Sequence, residues 1–491
     1  LERFPSESLD QLVQVLGGHR AVLLARNVHR MAEVVLGHTI NGGVRHAQGV
    51  DQRRGGLLRA ELRADIHVLD RMIGEVPGHR RRLTVAEVGQ RRVCAVGVVI
   101  DAFGPGMPDE YQFHGGERTL WGMRPTWCEI DVSVISHNVK TLSARLPGVD
   151  ICAVVKADAY THGAIPVAHA AIEAGASWLA VALVEEGVQL RNAGIDAPIL
   201  VLSEPSPSGM LGVVFNRLTP TLYTAEGVRA AGEAARSAGI NLDVEVSVDT
   251  GMRRVGAEPD EVMGVIESVI SDGSLTLGGV WTHCAVADEL ENDFTQEQFD
   301  RFDRLLEKLH VHGGEAIRRH AGNSAVAIAH EAHSYDMVRC GIAMYGVDPS
   351  AELHGRAQLK PALSLHSKVS FVKHIDAGDG VGYGHHWHAP SDRWLATVPI
   401  GYADGVRRDL GLRGGEVLIN GLRRPIVGVV TMDQLMVDLG DDSSVTTGDE
   451  VVLLGPQGDD VITAAEIAEL LDTIPYEVLC AIGPRVSRTY V

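Results

Sequence analysis

From Trp127 onward, apolar residues recur in two alternating rhythms. Short β-branched and apolar runs predict strands at Ile151–Val155, Trp178–Ala182, Ile199–Leu202, Thr219–Leu222, Leu242–Val248, Gly279–Thr282, Ile317–His320 and Asp336–Arg339. Between them lie segments of helical period, among them IPVAHAAIEAGA, VEEGVQLRNAG, AEGVRAAGEAARSAG, PDEVMGVIESVISDG and TQEQFDRFDRLLEKLHVHG. Several end in Gly, which suits a helix C-terminus. Strand and helix alternating eight times predict an α/β chain built on a (β/α)8 TIM-type barrel. An open doubly wound sheet would bring a Gly-rich dinucleotide fingerprint after its first strand, and the chain has none there. Past residue 360 the texture changes. ALSLHSKVSFVKHI, WLATVPIGYA, EVLINGLRRPIVGVVTMDQLMVDL and DEVVLLG read as strands joined by Gly and Asp turns, with INGLRR as a hairpin and AAEIAELLDTI as the one clear helix. The pattern therefore predicts a barrel over 123–360 and a mostly-β C-terminal domain over 361–491.

Residues 1–122 follow neither rhythm. They hold short apolar runs (AVLLA, VCAVGVVI) without a repeat, and no Lys; the first is Lys140. Their 16 Arg slightly exceed 14 acidic residues, so of the net −20 of the 491-residue chain the remainder carries −22. The expectation is an N-terminal extension of uncertain structure and low order, outside the functional enzyme, with Met123 as the natural start; an extra domain is the other reading. So acidic a chain is a poor partner for nucleic acid or an anionic membrane surface. No apolar run reaches the ~18 residues of a membrane span, and no basic-then-apolar signal opens the sequence. The six cysteines are scattered without a C-x-x-C, so neither a disulfide framework nor structural zinc is expected, and a reducing cytoplasm is the default location.

In a barrel of this kind, chemistry sits at the C-terminal ends of the strands. The first strand runs into Lys156, within AVVKADAYTHG. Desolvation there lowers the amine's pKa and makes it a nucleophile for carbonyls; taken alone, a snorkelling surface Lys is the blander account. Strands five to eight end in DTGMRRVG, WTHC, HAGNS and RCGIAMYG, which offer Arg254, His283, Asn323, Ser324, Arg339 and Gly341. A Ser hydroxyl with Gly-flanked N–H groups near the last two strands is a phosphate cradle. A carbonyl-reactive Lys beside such a cradle points to pyridoxal 5′-phosphate.

The segments AVVKADAYTHG, VDTGMRRVG, WTHCAVADE, AGNSA, VRCGIAMYG, GVGYGHHW, PIGYADG, TMDQLMVDL and YEVLC resemble, in that order, those of alanine racemases. The resemblance covers nearly all of 123–491 and none of 1–122, and MRPTWCEIDVSVISHNV is similar to the family's opening. It implies a cytoplasmic enzyme that interconverts L-alanine and D-alanine and supplies D-alanine for peptidoglycan. Lys156 would hold the cofactor and act as base or acid on one face of the substrate Cα. Tyr383 would serve the opposite face, contributed by the other subunit of a homodimer with shared active sites. Tyr160, Ser324, Gly341, Ile342 and Tyr476 would hold the phosphate, with Asn323 among the cofactor-binding residues. Arg339 would face the pyridine nitrogen, with His283 bonded to Arg339. Arg254 and the backbone of Met432 would hold the substrate carboxylate, and Asp433 and Tyr402 would line the site from the partner subunit.

The set makes chemical sense. Racemisation removes a Cα proton from one face and returns one to the other, which two opposed acid/bases achieve without turning the substrate. A permanently charged Arg at the pyridine nitrogen opposes its protonation and so makes transamination less competitive. A Tyr base titrates near ~10 and needs cationic neighbours. The alternatives are a racemase of another small amino acid such as serine, or a pyridoxal-phosphate amino-acid decarboxylase. Decarboxylases of this build carry a Cys-Asp motif where this chain has TMDQ. A non-catalytic cofactor carrier would have no use for a second base. Tyr402 has packing a turn as its alternative role, and His162 that of a helix-start residue. The run His385–His388 reads as a solvated turn, so no metal is expected. Asp249 reads either as a cap or as the residue that positions Arg254. Two positions depart from the family. Many members have a carbamylated Lys where this chain has Ser247, so another anion or a different hydrogen bond must orient Arg254. Thr161 stands where Gly is common, which stiffens the turn.

Overall fold

The computed structural model describes residues 83–85, 96–98, 124–311 and 317–491. Leu83–Val85 pairs antiparallel with Val96–Val98, Leu83 opposite Val98. The expectations of low order and of an early start for 1–122 otherwise lie outside the described residues.

β1 (Thr126–Ile130) leads into α1 (Val132–Arg145), which Asp131 caps by accepting from the N–H groups of Ser133 and Val134. The barrel follows: β2 Asp150–Val154, β3 Trp178–Val181, β4 Ile199–Val201, β5 Thr219–Leu222, β6 Leu242–Ser247, β7 Leu275–Trp281, β8 Arg318–His320 and β9 Met337–Cys340. Every neighbouring pair from β2 to β8 is parallel, and β9 returns to β2 with Met337 opposite Asp150. The last gap closes through a parallel bridge between Gly322 and Val338, where the Arg339 N–H donates to the Gly322 carbonyl at 2.9 Å. The expected eight-stranded closed barrel is thus present. β7 begins at Leu275, four residues ahead of its sequence signal. Gly278 and Gly279 carry little strand propensity, but Gly279 is required: a Cβ there would lie 2.7 Å from Glu245 Oε1.

Helices begin and end where side-chain chemistry allows. The helix Ala225–Ala238 starts at Thr224, whose Oγ1 accepts from the Gly227 N–H, and stops at Gly239 with φ 67°.

Among the described residues the mostly-β part is a sheet of ten strands and a separate two-stranded ribbon that pairs Gly380–Val381 antiparallel with Trp387–His388. The Asn420-Gly421 hairpin joins Glu416–Ile419 to Leu422–Val427, both turn residues having positive φ, as a two-residue I′ turn demands. The sheet reaches back along the chain. β1 pairs antiparallel with Leu363–Lys368 and parallel with Ser487–Tyr490. A boundary at residue 360 therefore leaves one strand of this sheet on the barrel side. Besides the expected helix, Ala464–Leu470, there is a second at Pro475–Cys480. Six residues are too few to show a helical period, although Pro at its start is a fair signal. One contiguous apolar core runs through barrel and sheet. No helix among the described residues is long and apolar enough to cross a membrane.

Candidate active site

β2 delivers the chain to Lys156 at the barrel mouth, and the backbone then does something unusual. Ala157, Asp158, Ala159, Tyr160 and Thr161 all have positive φ, between 52° and 68°. A left-handed turn of non-glycine residues costs ~1–2 kcal/mol per residue, so the surroundings must hold it. Glu186 is one anchor. Its Oε1 accepts from the Ala157 N–H at 2.7 Å, and its Oε2 from the N–H groups of Ala182 (2.8 Å) and Leu183 (3.0 Å). Asp158 Oδ1 accepts from the Ala164 N–H, and Thr161 Oγ1 donates to the Leu479 carbonyl at 2.9 Å. Thr161 thus ties the turn to the short helix that carries Tyr476.

The turn places the Tyr160 ring 4.8 Å from that of Tyr345 and 6.1 Å from that of Tyr476. A Cβ on Gly341 would come within 2.5 Å of the Tyr160 hydroxyl oxygen, so only glycine fits beneath it. Ser324 opens the helix Ser324–Ala329, which Asn323 caps through Oδ1 to the N–H groups of Ala325 and Val326. Ser324 Oγ accepts from the N–H groups of Gly341 (3.1 Å) and Ala343 (3.3 Å). Hydroxyls and convergent backbone N–H groups, with Ile342 starting its own 3-10 turn, make an anion cradle.

Burial, and then the Arg254 charge, lower the pKa of the Lys156 amine, against an opposing pull from Glu186. Arg339 lies behind it, 4% exposed, with the Trp281 ring 4.6 Å from its guanidinium carbon. Nη2 donates to the Thr282 carbonyl (2.8 Å) and to His283 Nδ1 (3.1 Å); Nη1 donates to His320 Nδ1 at 2.7 Å. His283 is held neutral, its pKa well below the usual value through burial first and then Arg339, Arg254 and Lys156. Burial pushes Arg339 itself down to about 10, so it stays charged at neutral pH. His320 and its partner Glu245 were missed in the sequence. The available signal was a carboxylate inside the apolar run LDVEVS, a poor place for an unpaired charge.

Arg254 is exposed. Among the described residues no hydrogen bond joins it to Ser247, which is buried at 2% exposure. Asp249 acts as a cap: Oδ1 accepts from the N–H groups of Gly251 and Arg253, and its ion pair is with Arg253 rather than Arg254. His162 is fully buried, donates from Nδ1 to the Tyr160 carbonyl at 3.0 Å and packs on the Tyr345 ring.

The remaining candidates gather elsewhere. Tyr383 is 72% exposed, and Met432 and Tyr402 are exposed too. Two loops are stapled together: the Tyr402 N–H donates to the Thr431 carbonyl and the Ala403 N–H to the Met432 carbonyl, both at 3.0 Å. Asp404, buried beneath them, takes two bonds of 2.8 Å from Arg124 and pairs with Arg485, which reaches Asp433 at 2.7 Å. A Cβ on Gly382, beside Tyr383, would come within 3.0 Å of Met436 Cε, a residue of the larger sheet. Within one chain no hydrogen bond or ring contact among the described residues joins Tyr383, Tyr402, Met432 or Asp433 to Lys156.

Residues 130–349 match the family model of the alanine racemase N-terminal domain, and residues 362–490 that of the alanine racemase C-terminal domain. The chain is 45% identical to the alanine racemase of Symbiobacterium thermophilum over 371 residues, 76% of this chain and 98% of that protein. It is similar to the crystal structure of alanine racemase from Bacillus anthracis with bound L-Ala-P, with a TM-score of 0.71 and 41% identity over 75% of this chain and 95% of that one. The histidine racemase of Leuconostoc mesenteroides also superposes, with a TM-score of 0.69 and 32% identity over 75% and 99% of the two chains.

Proposed function

The chain belongs to the alanine racemase family, and from that we propose that it interconverts L-alanine and D-alanine with Lys156 and a second copy's Tyr383 as opposed bases. It is a pyridoxal-phosphate-dependent isomerase, and its D-alanine product serves peptidoglycan. The observation that carries the reading is the pairing of a desolvated Lys156 amine with the cradle at Ser324 and Gly341.

The residues present suit the cofactor. Ser324, the N–H groups around Gly341 and Ile342, and the hydroxyls of Tyr160 and Tyr476 would hold its phosphate, and Asn323 supports them by capping the Ser324 helix. Gly341 leaves room that a side chain would take from the Tyr160 hydroxyl. Arg339 and its bonded His283 would stand at the ring nitrogen. Bound there, the cofactor supplies a conjugated ring that takes up the electron pair left when Cα loses its proton.

The chain's own groups do the rest. A depressed pKa leaves more of Lys156 as the free amine a base requires. Arg254 would take the substrate carboxylate, with the Met432 backbone, Tyr402 and Asp433 closing the pocket from a second copy. Tyr383 would hold the proton on the opposite face of Cα. The exposure of Tyr383, Tyr402 and Met432 supports a homodimer with shared sites, because one chain leaves them unused.

The test is formation of the D-enantiomer by the purified protein offered L-alanine, L-serine and L-histidine separately. Alanine is expected to turn over fastest; faster turnover of another member would move the substrate assignment. In Tyr383→Ala, deuterium exchange at Cα should persist for one enantiomer of alanine and vanish for the other. Equal exchange of both would leave a single base that reaches both faces.

A further inference from the structure

Arg339 is a buried cation, and the described structure shows what compensates it. Glu245 on β6 and His320 at the end of β8 are both fully buried inside the barrel. His320 Nε2 lies 2.8 Å from Glu245 Oε2, and His320 Nδ1 lies 2.7 Å from Arg339 Nη1. A guanidinium can only donate, so His320 Nδ1 must accept. The ring proton then sits on Nε2, directed at the carboxylate, and the imidazole is neutral; burial also lowers its pKa. The line Glu245–His320–Arg339 thus pairs one negative and one positive charge across a neutral ring. The barrel is shaped around it. Glu245 faces Gly279 in the strand register, and a Cβ there would strike Oε1. The His320 ring also stacks on Trp281, whose face lies against Arg339.

We propose that Glu245 is a positioning residue for the racemase site: through the Nε2–H of His320 it fixes the tautomer that accepts from Arg339, and its carboxylate is the internal counter-ion of that guanidinium. Nη1 and Nη2 are both committed by bonds to His320, His283 and backbone carbonyls. Nε–H makes none of these bonds and is the donor left for the ring nitrogen of the cofactor. Glu245 and His320 need not touch cofactor or substrate to act; they set the orientation and charge of the group that does. The proposal rests on Arg339 serving the ring nitrogen.

Three variants of the holoenzyme test it. Glu245→Gln keeps an acceptor for Nε2–H but removes the charge. Glu245→Leu removes both. Gly279→Ala displaces the carboxylate without replacing it. The ring nitrogens of His320 are read by 15N NMR, assigned by their loss in His320→Phe. In the wild type they should report a neutral ring with its proton on Nε2. That pattern should survive in Glu245→Gln and be lost in Glu245→Leu and Gly279→Ala. kcat should fall roughly tenfold in Glu245→Gln and nearer a hundredfold in Glu245→Leu, the span typical of groups that orient a functional residue. KM for alanine should stay within about twofold, since Arg254 rather than Arg339 is assigned to the substrate. In a His320→Phe background the Glu245 variants should cost nothing more, because the coupling passes through the ring. Glu245 variants with lowered melting temperature but wild-type kcat and His320 signals would overturn the proposal, as would losses that add fully to that of His320→Phe. Arg339→Lys separates the premise from the inference. If it leaves kcat and the cofactor absorption spectrum unchanged, Arg339 does not serve the ring; if it changes them while the Glu245 variants do not, only the relay fails.

Discussion

At the scale of single residues, Lys156 and His162 are displaced in the same direction by the same force. Both are bases whose charged form is penalised by burial, and in both the surroundings favour the neutral group. In Lys156 this is useful, since the free amine is the reactive form. In His162 it creates an acid liability. Its pKa is pushed down to about 4, while the unfolded chain takes up a proton near the ordinary 6.5. Between those values the unfolded state binds more protons, so the stability due to the neutral ring is complete above about pH 6.5 and is lost as pH falls toward 4. The displacement is worth about 3 kcal/mol at most. His162→Phe keeps the ring against Tyr345 but cannot protonate. Urea unfolding at pH 7 and pH 5 should therefore show a smaller stability loss in His162→Phe than in the wild type. Equal losses would assign the acid sensitivity to other buried histidines such as His283 and His320.

The element that decides the geometry of the mouth is the left-handed turn at Ala157–Thr161. It points Tyr160 over Gly341 and begins directly after Lys156, so amine and cradle are positioned by one piece of backbone. Glu186 opposes its strain with a charge-assisted bond from the Ala157 N–H, worth ~1.5–3 kcal/mol, and is itself held in place by bonds from the Ala182 and Leu183 N–H groups. Glu186→Ala should then cost roughly 2–4 kcal/mol after relaxation and loosen cofactor binding at least tenfold, measured by titrating the cofactor into stripped protein. A variant that is destabilised yet binds the cofactor as tightly as the wild type would show that the turn re-forms without its anchor. Thr161 contributes differently from a glycine at that position. Its β-branched side chain disfavours positive φ, but its hydroxyl bond to Leu479 holds the helix of Tyr476 to the turn.

On the scale of the whole molecule, the two halves of the proposed machinery lie on different parts of one chain, and the second half faces outward. A homodimer that buries this face should exceed ~2,000 Å² of interface, as obligate dimers do. Mixing Lys156→Ala with Tyr383→Ala protein, with subunit exchange demonstrated, should restore activity, since the mixed dimer holds one intact site. Exchange without recovery would place both bases in the same chain. The family match begins at residue 130, and the ordered contacts include Arg124, whose two bonds to buried Asp404 brace the loops of Tyr402 and Asp433. We propose that residues 1–122 are not part of the catalytic body. Their removal should leave kcat within a few-fold, whereas Arg124→Ala should lower stability by roughly 2 kcal/mol, less than a fully buried pair because Arg485 still reaches Asp404. An inactive or insoluble truncation would show the extension to be a working domain.

The eight barrel strands and the Asn-Gly hairpin were legible because each depends on local rules: alternating runs of buried residues, Gly at helix ends, positive φ at two turn positions. Lys156, Ser324, Arg339 and Gly341 could also be singled out as candidates, since a place at the end of a predicted strand can be read along the chain. Other features could not. Thr126–Ile130 joins the sheet of the second half through partners more than 200 residues away, and no local pattern encodes so distant a pairing. The left-handed turn runs against the intrinsic preference of most of its residues and is held by partners distant in sequence, Glu186 of the next barrel unit and the Leu479 carbonyl. Glu245 and His320 are apart in sequence and meet only across the closed barrel. The sequence by itself determined which elements form and which reactive groups they carry. The tertiary structure decided which of those groups share a proton, a charge or a face, because such couplings act through space over a few ångströms and leave no period in the chain.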